Sequence, residues 1–597
     1  MSAKPAESDI SSHDRHIGQI FFQRVEELGD RTFVKLKRGE RIDEITWRAF
    51  GARGRNLVLA LAGLGLAPGE TVAIIGENSL QWLCADLATL AGGYPNVVVS
   101  PSLSDVMFLK ILGHATCRAA FVQDNRGVGR LLNLKGQLPA LSHIFIMEES
   151  AENLPGTVAF DELIERGRQV DPSRLEKVLE AVHPNDLATI MYTSGSTGDP
   201  KGVIRTQDNL LSNITNGGDI VVSKPDEITA IVLSLNHLFG RFGFLKSAVT
   251  GRTTALIEAT ELSLDLKIVE FFRPTAVSVV PRVMEHIWNA LLDRDNHRWL
   301  WEQLESLDQK KSGAALDEVE SGHFDELRAS LRAGVSQALG GRIKYVSYGG
   351  AAMPPRIMRF FDLIGIPLIG SYGTTECGGI TLCGIGENRP GNLGKPFPNV
   401  QIGIADDGEI LVRGPTVTPG YFKDSEATRE AIDENGWYHT GDLGALDSDG
   451  SLRIIGRKKD TFNCSDGSNI YPGFIELQLE NEPFIRQAVL VGDRRPFIAA
   501  LIVPDRQKIS AGLGRDAATL SHADMEVALL AQIERINDRL ESYERICKFV
   551  VMAADFPLEV RSINVFQKVK VDRGAVARLY QNEIEQIYSS ILPGELH

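Results

Sequence analysis

Short apolar, β-branched runs recur through most of the chain, separated by stretches of helical periodicity, and this alternation limits the available folds more than any other feature. Thr71–Ile75, Asn96–Val99, Ala119–Gln123 and His143–Met147 are such runs, with helical spacing between them, as at Gln81–Ala91. Leu187–Ile190, Gly202–Thr206, Thr229–Leu233, Thr253–Ile257, Ala276–Val279, Tyr345–Tyr348 and Pro367–Ile369 continue the series. Strands joined by helices predict an α/β fold of doubly wound parallel sheets. Ahead of them, Gly18–Leu28 and Ile45–Leu64 read as helices. Residues 282–340 break the rhythm as a long charged helical excursion on the surface, with Trp299, Trp301, Leu304 and Leu307 as its inward positions.

From Asn399 the texture changes to short strands and tight turns, among them Asp406-Asp407-Gly408 and Ser448-Asp449-Gly450, which marks a small β-rich subdomain over about 399–458. A charged turn, Gly456-Arg457-Lys458-Lys459-Asp460, then precedes a segment of domain size with its own α+β pattern and a terminal helix over about Gly574–Ile591. At 597 residues the chain exceeds one core. The expected division is an N-terminal domain, 1–458, and a C-terminal domain, 459–597, hinged at Lys459.

Within this frame, Met191-Tyr192-Thr193-Ser194-Gly195-Ser196-Thr197-Gly198-Asp199-Pro200-Lys201-Gly202 follows an apolar strand run and precedes a second strand. Gly195 and Gly198 let backbone N–H groups turn inward, Thr193, Ser194, Ser196 and Thr197 add hydroxyls, and Lys201 adds a point charge. The pattern suits a polyphosphate. It lacks the four-residue spacer and the hydroxyl residue after lysine that a Walker A loop requires. A Gly/Ser linker is the bland alternative, but linkers do not sit between two strand patterns.

Charge narrows the partners. Lys and Arg number 63 against 78 Asp and Glu, a net of −15 without a dense basic block, which disfavours nucleic acid. Six cysteines show no C-x-x-C pair, as expected of reduced thiols in a cytoplasmic protein without zinc. No run approaches the roughly 18 apolar residues of a membrane span, and Met1–Arg15 is polar. Peripheral membrane contact through scattered apolar residues stays open.

Two further stretches carry chemistry. Ser371-Tyr372-Gly373-Thr374-Thr375-Glu376 follows a strand run, where an open α/β sheet presents ligands. Its aromatic ring can stack on a base, its hydroxyls can meet a phosphate and its carboxylate can hold Mg²⁺. Gly436-Trp437-Tyr438-His439-Thr440-Gly441-Asp442 offers a carboxylate beside a glycine turn, able to accept from both hydroxyls of a ribose. Alone, each reads equally well or better as a capped turn; their order along the chain favours function.

Taken in order, the 191–202 loop, the Tyr372–Glu376 stretch, Gly349-Gly350-Ala351 and Asp442 with Arg457 resemble the adenylate-forming superfamily of acyl-CoA synthetases, luciferases and adenylation domains. The resemblance covers roughly Gly18–Leu592. Asn236–Arg241, Val280–Glu285, Arg389–Pro396 and Ala500–Asp505 look like its long-chain fatty acyl-CoA synthetase branch. It implies nucleotide contacts by residues 193–198, Lys201, Gly349, Gly350, Ala351, Tyr372, Gly373, Thr374, Asp442, Arg457 and Lys459, with adenine stacked on Tyr372 and ribose held by Asp442 and Arg457. It further implies α-phosphate contact by Thr375, Mg²⁺ on Glu376 with Thr193, and His237 at an acyl-pocket entrance. An adenylating lysine falls on Lys568 of Gln567-Lys568-Val569-Lys570, with Lys570 the alternative.

The resemblance therefore implies an ATP- and Mg²⁺-dependent ligase that activates a fatty acid as acyl-AMP and transfers it to CoA. Leu235, Leu238, Phe239, Phe242 and Phe244 near His237 suggest an apolar acyl group of at least medium length. One departure stands out: the turn the family writes S-G-G or S-x-G-E reads Ser465-Asp466-Gly467-Ser468. That extra carboxylate keeps open a fatty acyl-AMP ligase whose acceptor is an acyl carrier protein. A non-catalytic acyl-nucleotide-binding protein is the third reading, opposed by intact Lys568, Glu376 and Asp442.

Overall fold

The computed structural model describes residues 15–148, 154–194, 199–216, 226–257, 266–294, 296–313, 315–465, 468–559 and 570–589. Two large sheets carry the alternating strands. The first has seven, in the order Val158–Ala159, His143–Ile146, Ala119–Val122, Val72–Ile75, Asn96–Val99, Leu187–Ser194, Pro200–Thr206. All pairs are parallel except the last, in which the strand entering the phosphate-type loop folds back on the strand leaving it. In the second, Leu368–Thr374, Tyr345–Tyr348, Ala276–Val279, Ile228–Ile231, Thr253–Leu256 and Thr32–Arg38 are parallel neighbours, with antiparallel strands beyond them at both ends of the nine-stranded sheet.

Chain order reverses within the parallel part of each sheet. In the first sheet Val72–Ile75 lies between strands Asn96–Val99 and Ala119–Val122; in the second, Ile228–Ile231 lies between Thr253–Leu256 and Ala276–Val279. Crossovers leave in opposite directions at such a point, which opens a crevice at the strand carboxyl ends. One core cluster takes Ile74 and Phe121 from the first sheet and Val34 and Leu256 from the second. Helices Leu80–Ala91 and Leu238–Thr250 contribute to it.

Those two helices also share a polar contact inside this core. Arg241 on one and Asp86 on the other are both 0% exposed, with Nη2 to Oδ1 at 2.5 Å and Nε to Oδ2 at 3.0 Å. Asn96 and Thr189, on neighbouring strands of the first sheet, accept two further guanidinium N–H bonds at 2.9 and 2.8 Å. Burial pushes the Asp86 carboxyl up from its usual range, and the guanidinium pulls it back down.

Several sequence expectations shift. The first helical segment after Leu28 begins at Trp47, and Thr32–Arg38 with Arg41–Thr46 form an antiparallel hairpin at the edge of the second sheet. Charged residues interspersed among the apolar ones hide this hairpin from a search for apolar runs. The region after Pro281 is three helices, Pro281–Leu292, His297–Gly313 and Glu318–Ala338. They are more than a surface excursion, since Ile287, Leu304 and Leu331 join a second core with Val277 and Val346 of the sheet. Trp301 and Leu304 are buried and Leu307 packs against that core, whereas Trp299 is exposed because it lies two positions from Trp301, off the buried helical face.

Residues 401–457 form an antiparallel four-stranded sheet, as the turn pattern predicts. Beyond the short helical turn Lys458–Asp460, the strands Ile485–Val491, Ile498–Pro504 and Ile546–Val551 form a separate sheet with a core of its own. The terminal helical stretch is two helices, Arg573–Leu579 and Gln581–Ser589.

Removing one member of a buried ion pair strands the other. Arg241→Met should therefore lower stability by about 3–5 kcal/mol. The double substitution Asp86→Leu with Arg241→Met should lose less than the single one in urea unfolding followed by fluorescence. Equal losses would mean that packing, and not the stranded carboxylate, sets the cost.

Candidate active site

A cavity of about 1450 Å³ opens at the carboxyl ends of the strands beside both reversal points. Glu77 and Asn78 reach it from the loop after Val72–Ile75, Gln123 from the loop after Ala119–Val122, Leu233 and Ser234 from beyond Ile228–Ile231, and Val280 from beyond Ala276–Val279. The two sheets are laced together here. Asn78 donates to the Leu233 carbonyl and accepts from Leu235 N–H, both at 2.9 Å, and Asn236 donates to the Gly76 carbonyl at 2.9 Å.

His237 ends that loop as the N-cap residue of helix Leu238–Thr250 and opens onto the cavity. Although part of its surface is reachable by solvent, protein encloses the ring on most sides. That desolvation lowers its pKa below the ordinary imidazole value, so the ring is neutral at neutral pH. Of the apolar residues expected around it, only Phe239 lines the cavity; Leu235, Leu238 and Phe244 belong to the core between the sheets, and Phe242 packs against that core. The apolar wall is built instead by Val232, Leu233, Phe239, Val280, Met353 and Met358.

The strand Leu368–Thr374 extends beyond the Pro367–Ile369 run and carries the second motif into the site. Tyr372 is nearly buried and donates its hydroxyl to Asp442 Oδ2 at 2.6 Å. Burial and this carboxylate push the phenol well above its usual pKa, which keeps it a donor. Asp442 also receives Arg457 Nε at 2.6 Å, and the two residues face each other across the strands Tyr438–Leu446 and Leu452–Arg457. An ionised carboxylate offers about four acceptor positions, so two donors leave room for two more. Tyr372, Gly373, Asp442, Arg457, Lys459, Gly350, Ala351 and His237 all line the cavity. Gly349 sits behind it, where a Cβ would come within 2.9 Å of Ser371 Oγ. At Gly373 a Cβ would meet the Gly378 carbonyl oxygen at 2.1 Å, so no other residue fits this bulge.

Beside the cavity a second group gathers. The strand Leu187–Ser194 runs on into the phosphate-type loop, and Thr193 pairs with Lys201 across the antiparallel turn. Thr375 and Glu376 occupy the turn between the strands Leu368–Thr374 and Gly378–Leu382, where Thr374 Oγ1 accepts from Cys377 N–H at 3.1 Å. Glu376 Oε1 accepts the Tyr421 hydroxyl at 3.2 Å, and the Lys201 ammonium lies over the Tyr421 ring, 5.2 Å from its centroid. Arg205, 0% exposed, donates to the carbonyls of Glu376 at 3.2 Å and Thr416 at 2.6 Å; desolvation lowers it to about 10. Gly195, Ser196, Thr197, Gly198 and Lys568 lie outside the described residues, as does the side chain of Ser194. Tyr421 and Arg205 carry no local sequence signal; only the fold brings them to Glu376.

A Mg²⁺ ion fits the chemistry of this second group. Among the described residues no three His, Cys, Asp or Glu side chains gather into a metal cage. Mg²⁺ is commonly held without one, by a single carboxylate, substrate phosphates and water.

This arrangement defines a nucleotide-dependent ligase-type α/β enzyme, and the relatives agree. The AMP-binding enzyme family matches residues 21–422, and its AMP-binding enzyme C-terminal domain matches residues 459–591. The chain belongs to this family, the adenylate-forming superfamily that its motifs resemble. The long-chain-fatty-acid–CoA ligase FadD15 of Mycobacterium bovis is 31% identical over 98% of this chain and 99% of its own. The solved anthranilate CoA ligase AuaEII in complex with anthranoyl-AMP has the same fold, with a TM-score of 0.72 at 19% identity over 98% of this chain and 100% of that one. The A domain of carboxylic acid reductase from Segniliparus rugosus, in complex with AMP and a co-purified carboxylic acid, matches at a TM-score of 0.70 and 20% identity over 97% of this chain and 95% of that one. No helix among the described residues is long and apolar enough to cross a membrane.

A hydrogen bond to a charged group is worth about 1.5–3 kcal/mol. Asp442→Asn should accordingly raise the KM for ATP by about 10- to 100-fold while kcat changes little. Steady-state kinetics with ATP varied at saturating acid decides it; an unchanged KM would remove Asp442 from the nucleotide site.

Proposed function

We propose that this chain is an ATP-dependent long-chain fatty acid–CoA ligase that forms acyl-AMP and pyrophosphate, then acyl-CoA and AMP. The observation that carries this reading is one cavity lined both by an apolar set, with Val232, Leu233, Phe239, Val280, Met353 and Met358, and by the Tyr372–Asp442–Arg457 cluster. A fatty acyl chain suits the first and a nucleoside the second. The names of the full-length relatives support the same substrates.

In this reading Asp442 and Arg457 take the ribose, Tyr372 and the Gly349–Ala351 segment flank the adenine, and Thr375, Lys201 and the 193–198 loop face the phosphates. Glu376 with Thr193 holds Mg²⁺, which neutralises charge on the phosphate oxygens when bound. The carboxylate oxygen of the fatty acid attacks the α-phosphorus, and the bond to pyrophosphate breaks. Lys568 stabilises the charge that develops there. A CoA thiolate then attacks the acyl carbonyl and AMP leaves, with no enzyme nucleophile required. The cysteines support this: burial pushes Cys377 up to about 12, far from the thiolate form.

Each methylene buried against the apolar wall contributes about 0.8 kcal/mol, or about fourfold in kcat/KM. Pyrophosphate release should therefore rise steeply from butyrate to dodecanoate, and acyl thioester should appear only with CoA. Preference for acetate or an aromatic acid would refute the fatty-acid assignment. Acyl-AMP that accumulates with CoA present but turns over with an acyl carrier protein would favour that acceptor instead. No turnover with any acid would leave a binding protein.

One site serving two steps needs a moving part, and we place the hinge at Lys459, in the helical turn that precedes the C-terminal sheet and its core. Lys568→Ala should abolish acyl-AMP formation yet leave thioester formation from supplied acyl-AMP. Lys459→Pro, by fixing φ, should do the reverse. If both variants slow both half-reactions alike, the site works in a single conformation.

A further inference from the structure

We propose that Tyr421 is a positioning residue for the metal–phosphate site, orienting the Glu376 carboxylate and seating the Lys201 ammonium; this rests on the reading of Glu376 as a Mg²⁺ ligand. Tyr421 has no counterpart among the sequence motifs, and three sets of contacts single it out. Its hydroxyl donates to Glu376 Oε1 at 3.2 Å. Its ring lies under the Lys201 ammonium. Its backbone is fixed too: Tyr421 N–H donates to Thr428 Oγ1 at 2.9 Å, and Tyr421 bridges Val203 on the strand that carries Lys201.

The chemistry of the contact is specific. A carboxylate that binds a cation through one oxygen is free to rotate unless the other oxygen is held, and ligating carboxylates are generally held by a hydrogen-bond donor. Here the donor is a phenol whose position is set by a packed ring and a bridged backbone. The same ring face attracts a lysine ammonium. One side chain thus fixes the spacing between a carboxylate and a cation that would meet the same polyphosphate. The turn bearing Glu376 is held independently, since Thr418 N–H donates to the Glu376 carbonyl at 2.7 Å and Arg205 donates to it at 3.2 Å. Removing the Tyr421 hydroxyl should leave that backbone in place and free only the carboxylate.

The test is Tyr421→Phe, which keeps the ring under Lys201 and deletes the hydroxyl. Mn²⁺ is titrated into full-length enzyme saturated with α,β-methylene-ATP, and binding is read by electron paramagnetic resonance. Affinity for the metal-free nucleotide is measured separately by calorimetry, with Glu376→Gln as the reference variant. The expected result is a loss of about 10- to 100-fold in Mn²⁺ affinity for both variants, the range for disturbing a group that supports a ligand, with metal-free nucleotide affinity retained. Wild-type Mn²⁺ affinity in Tyr421→Phe alongside weakened binding in Glu376→Gln overturns the inference and leaves the metal assignment standing. Equal loss of metal-free nucleotide binding in Tyr421→Phe also overturns it, by showing a general structural role. Unchanged Mn²⁺ affinity in Glu376→Gln overturns the metal assignment and the inference with it.

Discussion

The buried pair of Asp86 and Arg241 is the constraint on which the site depends. Two charges at zero exposure are tolerable only when they meet in good geometry and further hydrogen bonds support them, and here Asn96 and Thr189 accept two more bonds from the guanidinium. The pair joins a helix that follows a strand of the first sheet to a helix that follows a strand of the second. It therefore fixes how the two sheets meet. The backbone N–H of Arg241 donates to the His237 carbonyl at 3.0 Å, so the anchored residue lies one helical turn from His237 at the cavity wall.

From that junction outward the site is assembled from strand ends. The reversal points of both sheets supply the crevice, and the strands Leu187–Ser194 and Leu368–Thr374 run past the sheet body to deliver their motifs. A strand that continues into a motif holds its side chains more firmly than a free loop would. The close approach at Gly373 shows the cost in sequence freedom: at 2.1 Å from a carbonyl oxygen, even one methyl group is excluded. Apolar side chains and the Tyr372–Asp442–Arg457 cluster then line one cavity, so a single enclosure offers both apolar and polar contacts.

The Glu376 turn shows how function is divided between near and far residues. Its backbone is fixed by Arg205 and Thr418, and its carboxylate by Tyr421, so two segments distant from each other in sequence converge on one acid. Arg205 is fully buried, and among the described residues its Nε and Nη2 have no hydrogen-bond partner, a burial penalty retained at the turn that carries the site.

Much of the protein was legible in the sequence because the relevant signals are local. Apolar runs marked the parallel strands, since strands covered on both faces need no polar alternation; glycine and hydroxyl spacing marked the phosphate-type loop and the Tyr372–Glu376 stretch. The order of those motifs pointed to the family. The hairpin at 32–46 was not legible, because an edge strand rich in Lys, Arg and Glu lacks the pattern of a buried one. Nor was the fate of Leu235, Leu238 and Phe244 near His237, since an apolar side chain reads alike whether it faces a core or a cavity. The partnership of Tyr421 with Glu376, 45 residues apart, and of Asp86 with Arg241, 155 apart, belongs to tertiary structure alone. Local chemistry specifies which groups can act, but a hydrogen bond across such distances exists only after the sheets have packed, and packing is a property of the whole chain.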